Sequence, residues 1–477
     1  MRGARPSCEA ESPTTPPSDA QALSSEIAPA MNAPASRLAP VAPGRLPGLG
    51  HLVPFVRNPF AFLQSVRAAG DLVRVFIGPV PVYVINSPEL LNRLLVTDAQ
   101  HFEKGYLFDQ ARVFMGNGLL TSNGDFHRQQ RHLMQPAFRR ERISGWIGQM
   151  GQSATATVSS WRRGSTIDVV PEMHELVLGI LTRMLFAAGL KPQVKLKIRQ
   201  AISDLLQGLL PQIAYSVARM KNLPTPGNLK FRRATAELRG VLDDLIVTYR
   251  ADNNDRGDLF SLLCGAGEKD DGYRISDEQV RDEVVSIIVA GSDSMANTLT
   301  WMCYELGRNP AVQERVRAEL RQVLGDRELT LADLPRLTYL QKVFDEILRL
   351  YTPNWILDRR TKKELEFGEY SLPAGAEVVF SLSALHRDPV LYPDPLKFDP
   401  DRWAGDSSKT VRYAFIPFGT GRRKCIGDSL AHTVVMTTAA TIFSRWWLAP
   451  LSGSAVHESK LAVTRNPRGV RMVAHQA

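Results

Sequence analysis

The amino-acid sequence predicts a mainly α-helical fold with small β-sheets. Apolar residues recur at helical spacing over most of the chain up to about residue 350. Ahead of this region, residues 71–87 carry β-branched and aromatic side chains on both sides of Gly78 and Pro79, a pattern typical of a β-hairpin. Behind it, residues 368–389 alternate and turn like short strands. Helices therefore make up most of the predicted fold, and strands are predicted before and after the helical region.

The first 42 residues differ in composition from the rest. They are rich in Pro, Ser and Ala and contain few aromatic residues. A segment of this kind buries too little apolar surface to offset the entropy lost on ordering. We predict a disordered tail over residues 1–42 and one folded domain over residues 43–477.

Charge and cysteine content restrict the class of protein. A formal net charge of +9 permits an anionic partner but does not distinguish nucleic acid, membrane and acidic protein. The four cysteines form no CxxC pair, which excludes a disulfide framework and a typical zinc site. No run of 18 apolar residues and no secretory signal occur in the sequence. We expect a soluble cytoplasmic protein without a membrane span.

A long helix is predicted between Ser276 and Pro310. Ser276 and Gln279 have the spacing of a capping box, and the proline follows the far end, so the helix has about 30 residues. Its interior contains AGSDS (290–294), where Gly, Ser and Asp oppose helix propensity. A serine hydroxyl that bonds a carbonyl one turn back can open a groove, and the alternative is a simple helix irregularity.

A second helix, from about residue 335 to residue 350, carries Glu346 and Arg349 at i,i+3 spacing. Pro353 terminates it. Such a pair is most often solvated and contributes a few tenths of a kcal/mol. Because these two residues stand among apolar positions, a buried charged network is the alternative.

The segment FGTGRRKCIG (418–427) places Cys425 just before an apolar helix. The helix N-terminus and the cations Arg422, Arg423 and Lys424 should all favour thiolate over thiol. The glycines at 419, 421 and 427 should allow a tight turn and a close approach to a flat group. A thiolate presented in this way is a metal ligand or a nucleophile, but no histidine base lies within the loop. A buried structural thiol is the third interpretation.

This segment resembles the signature F-x-x-G-x-R-x-C-x-G-x-x-x-A of the haem-thiolate monooxygenases, the cytochrome P450 family. The matching residues are Phe418, Gly421, Arg423, Cys425, Gly427 and Ala431. The resemblance implies the cytochrome P450 fold, haem b (iron protoporphyrin IX) as cofactor and Cys425 as the axial ligand of the iron. It extends from about Pro43 to the end of the chain.

Further landmarks appear in the family's order. Glu346 and Arg349 are similar to its E-x-x-R helix, and Arg402 is similar to the arginine that completes this structural triad. Asp401 stands where the family usually has Glu.

The resemblance also implies the residues that contact haem. His127, Arg131, Arg359 and Arg423 are expected to neutralise the propionates, with Arg360 as an alternative to Arg359. The other expected haem contacts are Phe418, Gly419, Gly427 and Ala290.

Asp293 and Ser294 match the family's A/G-G-x-D/E-T segment. The resemblance implies that Asp293 relays protons from solvent and that Ser294 holds the water that delivers them. Serine replaces the usual threonine here, and it lacks the methyl group that restricts the rotamer. We therefore expect leakier coupling, with Thr298 as a candidate substitute.

Apolar segments at the family's substrate positions suit a hydrocarbon-like ligand, although each side chain could equally be core. They contain Phe108, Phe114, Met115, Ile287, Trp355 and Ile356. Segments 119–143 and 354–380 look most similar to bacterial terpene-tailoring oxygenases, in particular those that act on sesquiterpene skeletons. Fatty acids and polyketides are the alternative substrates.

The family's activity requires O₂ as co-substrate and electrons from NAD(P)H. We expect a separate ferredoxin or flavodoxin with its reductase, attracted by basic residues such as Arg128 and Lys424, and a monomeric enzyme. No nucleic-acid-binding motif occurs in the sequence, which argues against nucleic acid as the partner. A haem-binding carrier or sensor is the rival, but it would have no need of a proton relay.

Overall fold

The computed structural model describes residues 37–186, 190–217, 224–252, 256–265, 275–405, 413–459 and 464–476, without the side chains of Phe114, Leu206, Gln207, residues 209–217 and Asp252. Helices dominate these segments, as the sequence predicts. In chain order they are α1 (Leu52–Arg57), α2 (Pro59–Val66), α3 (Pro88–Asn92), α4 (Tyr106–Met115), α5 (Gly124–Met134), α6 (Arg140–Val158), α7 (Val169–Leu185), α8 (Pro192–Val217), α9 (Pro226–Asp252), α10 (Leu259–Cys264), α11 (Asp277–Arg308), α12 (Pro310–Leu324), α13 (Thr338–Leu350), α14 (Leu382–His386) and α15 (Asp428–Arg445).

The long helix α11 organises the core. The predicted capping box is present, since Ser276 accepts a hydrogen bond from the Gln279 N–H and the Gln279 side chain accepts one from the Ser276 N–H. The helix runs for 32 residues and packs against α7 and α15. Its C-terminal half belongs to a large apolar cluster with α6, α7, α13 and α15. A helix buried along so much of its length holds the residues at its centre rigidly.

The strands form small sheets at the flanks. They are β1 (Leu72–Ile77), β2 (Val80–Ile85), β3 (Phe102–Glu103), β4 (Thr166–Asp168), β5 (Leu357–Thr361), β6 (Leu365–Phe367), β7 (Tyr370–Leu372), β8 (Glu377–Phe380), β9 (Trp446–Pro450), β10 (His457–Glu458), β11 (Pro467–Arg468) and β12 (Arg471–Gln476). The largest sheet has the order β1-β2-β8-β5-β3, in which only the β2 and β8 pair is parallel. A second sheet has the order β4-β12-β9. The predicted hairpin of residues 71–87 is β1 and β2.

The boundary of the N-terminal tail needs correction. Residues 37–42 were predicted to be disordered, but the Arg37 N–H donates to the Glu369 carbonyl at 2.7 Å and the Ala42 N–H donates to the Arg74 carbonyl at 2.9 Å. Ala39 and Ala42 are buried. These six residues follow the edge of the sheets, where backbone groups find partners that composition does not reveal. The rest of the predicted tail, residues 1–36, lies outside the described residues.

No helix in the described segments combines the length and the apolar character needed to cross a lipid bilayer.

Candidate active site

The loop before α15 holds Cys425 at the start of that helix. The Cys425 N–H donates to the Phe418 carbonyl at 2.9 Å, which closes the loop on itself. Gly421 has a φ of +69°, and a Cβ there would overlap the Leu95 carbonyl oxygen, so only glycine fits. Gly427 has an ordinary φ of −95°, so the predicted need for a tight turn does not apply to it.

The Cys425 side chain is accessible to solvent. Burial among the surrounding protein atoms nevertheless raises the pKa of its thiol above the usual value. The Gly427 N–H, Arg131 and Lys424 lower it, as the sequence suggested, but the desolvation outweighs them. The helix start and Lys424 thus act in the predicted direction, but the loss of hydration is the larger effect.

Lys104, His127, Arg359 and Arg423 form a group that we call the cation cluster. Burial lowers the pKa of Arg359 to about 10 and that of His127 to about 3, and in both cases the charge of Arg423 adds to the effect. The pKa of Lys104 is also well below its usual value, because of burial and of the charges of Arg359 and Arg423. His127, Arg359 and Arg423 line one recess. The charges of Arg359 and Arg423 repel each other and disfavour a charge on Lys104 and His127, and an anionic group would relieve that repulsion.

The position of Arg359 on β5 separates it from Arg360. Arg359 is buried in the cation cluster, whereas Arg360 points to the other face of the strand and pairs with Asp109 at 2.9 Å and Glu377 at 2.6 Å. Successive residues of a strand face opposite sides. The strand therefore leaves Arg359, and not Arg360, beside Arg423.

Arg131 and Arg423 tie the cysteine loop to α5 and the segment before it. Arg131 Nη1 donates to the Lys424 carbonyl at 2.7 Å, so this side chain contacts the loop itself. Arg423 donates to the Ser122 carbonyl at 3.0 Å and to Asn123 Oδ1 at 2.8 Å. Arg131 is thus engaged with the loop backbone as well as near His127.

Glu346, Arg349 and Arg402 come together in what we call the Glu346 network. Both oxygens of Glu346 accept from Arg349, at 2.8 and 2.9 Å, and Arg402 Nε lies 3.5 Å from Glu346 Oε1. The Glu346 and Arg349 side chains are 0% exposed. Trp403 Nε1 also donates to Glu346, and the Trp403 ring packs on Phe415. The network thereby holds the chain that leads into the cysteine loop.

At the centre of α11, Ser294 and Asp293 have different surroundings. Ser294 Oγ donates to the Ala290 carbonyl at 2.8 Å, which is the bond one turn back that the sequence suggested. Asp293 accepts from His174 Nε2 at 3.1 Å through Oδ1 and from Thr464 through Oδ2. Thr298, the candidate substitute for Ser294, is buried and donates to the Ser294 carbonyl.

Lys104, His174 and Thr464 were not identified from the sequence. Asp293 and His174 are 119 residues apart in the chain. No spacing rule joins such residues, so only the packing of α7 on α11 reveals the contact.

The predicted substrate-lining residues divide into two groups. Met115 and Trp355 are 2% and 4% exposed and lie in apolar clusters, which favours the alternative that they serve as core. Phe108, Ile287 and Ile356 are only partly buried, and the Lys104 ammonium lies 3.9 Å from the centre of the Phe108 ring. The Phe114 side chain lies outside the described residues.

Comparison with known proteins identifies the class. The sequence model of the family described as Cytochrome P450 matches residues 40–472. Cyclooctat-9-en-7-ol 5-monooxygenase of Streptomyces melanosporofaciens is 41% identical over 87% of this chain and 90% of its own length. Pentalenene oxygenase of Streptomyces avermitilis is 37% identical over 91% of this chain and 97% of its own. The structure of retinoic acid bound cyanobacterial CYP120A1 has a TM-score of 0.81 at 23% identity, covering 93% of this chain and all of the other.

The chain belongs to the cytochrome P450 family, and the predicted family and fold are confirmed. Within that family it is a monooxygenase, an oxidoreductase that uses haem iron, O₂ and electrons from a redox partner.

The residues present fit haem. A planar dianionic group that carries iron needs one accessible soft ligand, buried cations for its propionates and a small residue where a helix passes its face. Cys425, the cation cluster and Ala290, which is exposed in the middle of the otherwise buried α11, have these properties.

Proposed function

We propose that this protein inserts one oxygen atom from O₂ into a C–H or C=C bond of a cyclic terpene. The observation that supports the substrate class most directly is the identity of 37 to 41% to proteins named for the oxidation of cyclooctat-9-en-7-ol and pentalenene. A skeleton of sesquiterpene size is the starting point for a screen, since the partly buried side chains of Phe108, Ile287 and Ile356 are apolar.

In this proposal Cys425 would bind the haem iron through its sulfur. Haem, when bound, supplies the chemistry of oxygen activation. The haem propionates would be held by Arg359, Arg423 and His127. Arg131 would hold the cysteine loop and add its own positive charge near His127. Phe418 and Gly419 would support the ligand loop, Gly427 leads into α15, and Ala290 would contact the haem. Glu346, Arg349 and Arg402 have a structural role.

Ser294 orients the water that brings protons to the reacting oxygen. Its hydroxyl hydrogen is directed to the Ala290 carbonyl, so its oxygen is left to accept a hydrogen bond from that water. Asp293, which directly precedes Ser294 in the chain, supplies the protons. Thr298 is a poor substitute because it is buried, with 3% exposure, one turn further along α11.

Electrons come from NAD(P)H through a ferredoxin or flavodoxin with its reductase. Arg128 and Lys424 are exposed on the side of the molecule that carries α5 and the cysteine loop. Acidic carriers would be attracted there, although each of the two cations also has a nearby aspartate. We expect the enzyme to act as a monomer in the cytoplasm.

The ligand assignment is tested by the spectrum of the reduced protein under carbon monoxide. The wild type should give the absorption of a thiolate-ligated haem, and Cys425→Ala should lose it. Cys303→Ala, which changes a buried cysteine on α11, is the matched control and should keep this absorption. If Cys425→Ala retains the thiolate-type spectrum, the assignment is wrong.

The substrate class is tested by ligand-induced spin-state shifts. Sesquiterpenes, larger cyclic terpene alcohols, fatty acids and polyketides are titrated into the oxidised holoenzyme, and the hits are then turned over with a surrogate ferredoxin and its reductase. We expect terpenes to shift the spectrum and to be oxygenated. A response to fatty acids alone would replace the terpene proposal, and binding without turnover would favour the haem-binding carrier or sensor.

A further inference from the structure

We propose that His174 is the proton entry to Asp293, so that protons reach the centre of α11 from solvent through a histidine on α7. The inference rests on the role proposed above for Asp293. His174 acts through Asp293 and is therefore a positioning and proton-supplying residue.

The hydrogen-bond pattern of His174 requires a shared proton. Its Nδ1 lies 2.9 Å from the Val170 carbonyl, which can only accept, so Nδ1 carries a hydrogen. Its Nε2 lies 3.1 Å from Asp293 Oδ1. A hydrogen bond at this second contact needs a proton as well, held either by an imidazolium or by the carboxyl group. The pair thus stores one transferable proton between Nε2 and Oδ1.

The solvent exposure of the His174 and Asp293 side chains sets the direction of proton transfer between them. The His174 side chain is 30% exposed and that of Asp293 is 15% exposed. His174 therefore has the better access to solvent, while Asp293 lies next to Ser294 in the chain. A proton taken up by the imidazole moves inward when it passes to the carboxylate.

The charge surrounding His174 favours its protonated form. Burial lowers the pKa of His174, but the hydrogen bond and charge of Asp293 and the Val170 carbonyl together raise it above the ordinary value. Among the described residues, Asp293 is the charged group that acts on this histidine. The neighbouring Glu175 pairs instead with Arg199 at 3.0 Å.

The Thr464 hydroxyl can turn away from the Asp293 carboxylate and so release it. Its single hydroxyl hydrogen has two acceptors, Asp293 Oδ2 and Asn466 Oδ1, the latter at 2.6 Å. Asn297 Nδ2 donates to the same hydroxyl oxygen at 3.1 Å. An ionised carboxylate attracts this hydrogen more strongly than a neutral carboxyl group does. Protonation of Asp293 should therefore turn Thr464 towards Asn466 and free the Asp293 side chain to rotate.

The proton balance of the cycle is simple. Imidazolium and carboxylate become neutral imidazole and carboxylic acid as the Nε2–H bond breaks and an O–H bond forms on Oδ1. The carboxylic acid gives its proton to the water at Ser294 and returns to carboxylate. His174 then takes one proton from a solvent acid, so each cycle carries one proton inward.

The first test measures His174 itself, without turnover. Histidine side-chain NMR of the reduced, carbon monoxide-bound holoenzyme should show His174 titrating above about pH 6.5, the ordinary histidine value. In Asp293→Asn its midpoint should fall by about one pH unit or more. A wild-type midpoint at or below the ordinary value, unchanged in Asp293→Asn, would overturn the proposal even if no His174 variant folds.

The second test measures hydrogen peroxide released per NAD(P)H across pH. In the wild type the release should rise severalfold as pH passes the His174 midpoint, because the imidazolium is lost. His174→Gln should give high release that no longer depends on pH, and His475→Gln, which changes an exposed histidine on β12, should behave like the wild type. A normal pH profile in folded His174→Gln overturns the inference. Absence of the thiolate-type spectrum in the wild type would instead contradict the proposed function. The NMR result on His174 would be unaffected.

Discussion

Two buried groups of charges in this molecule are built in opposite ways. In the Glu346 network, four hydrogen bonds reach one carboxylate from Arg349, Trp403 and the Asp399 N–H. In the cation cluster, burial lowers the pKa of Lys104 and of His127, and the charges of Arg359 and Arg423 lower both further. The first group is balanced within the chain, while the second has an excess of positive charge.

The difference separates a group that serves the fold from one that serves a ligand. A buried charge that is paired and fully hydrogen-bonded destabilises strongly when one partner is removed. A buried charge with like neighbours is destabilising until an opposite charge arrives. Substitutions in the two groups should therefore have opposite effects on the protein without its cofactor.

The largest effect is expected for Glu346→Gln. Removal of this charge leaves Arg349 and Arg402 buried without an anion, and the expected loss is about 3 to 5 kcal/mol of unfolding free energy. Thermal unfolding of the purified protein, with and without haem, and the yield of thiolate-type absorption measure the loss.

The matched control for that change is Asp401→Asn. Asp401 pairs with Arg315 at 2.6 Å, but both side chains are about half exposed, and this pair should contribute less than about 1 kcal/mol. Equal losses for the buried and the exposed pair would contradict the proposed contrast.

The sequence predicted the parts of both groups that depend on local spacing. Glu346 and Arg349 are one helical turn apart, and Cys425 stands in a segment with a specific pattern. The sequence could not show whether Arg359 or Arg360 faces the cation cluster, because the pairing of β5 with its neighbours decides which side chain faces inward. The sequence also shows the cations near the thiol of Cys425, but it does not show the desolvation by packed neighbours that opposes them.

Glu283 on α11 represents a third arrangement, in which a buried acid is neutralised rather than paired. Burial raises its pKa to about 8, although the Leu119 N–H donates to it at 3.0 Å. The unfolded chain loses this proton near pH 4.5. Between these two values the native state binds one proton more, so stability falls as pH rises and levels off above about pH 8.

Glu283→Gln removes this pH dependence while it keeps an oxygen that can accept from Leu119. We expect the advantage of the variant over the wild type to grow by about 4 kcal/mol from about pH 5 to pH 8, with a constant difference at higher pH. Thermal unfolding of both holoenzymes across this range measures the gain. A difference that does not change with pH would show that Glu283 is ionised in the native protein.

The smallest effect is expected for Arg359→Gln, and its sign differs between the two forms of the protein. Haem should transfer to an acceptor protein about tenfold faster, equivalent to about 1.4 kcal/mol, because one charge opposite the propionates is lost. The haem-free protein should become more stable, since a buried cation beside Arg423 is removed. Arg360→Gln is the control on the other face of β5 and should leave haem transfer unchanged. If Arg359→Gln destabilises the haem-free protein as Glu346→Gln does, the cation cluster serves the fold, and the distinction between the two groups of charges is lost.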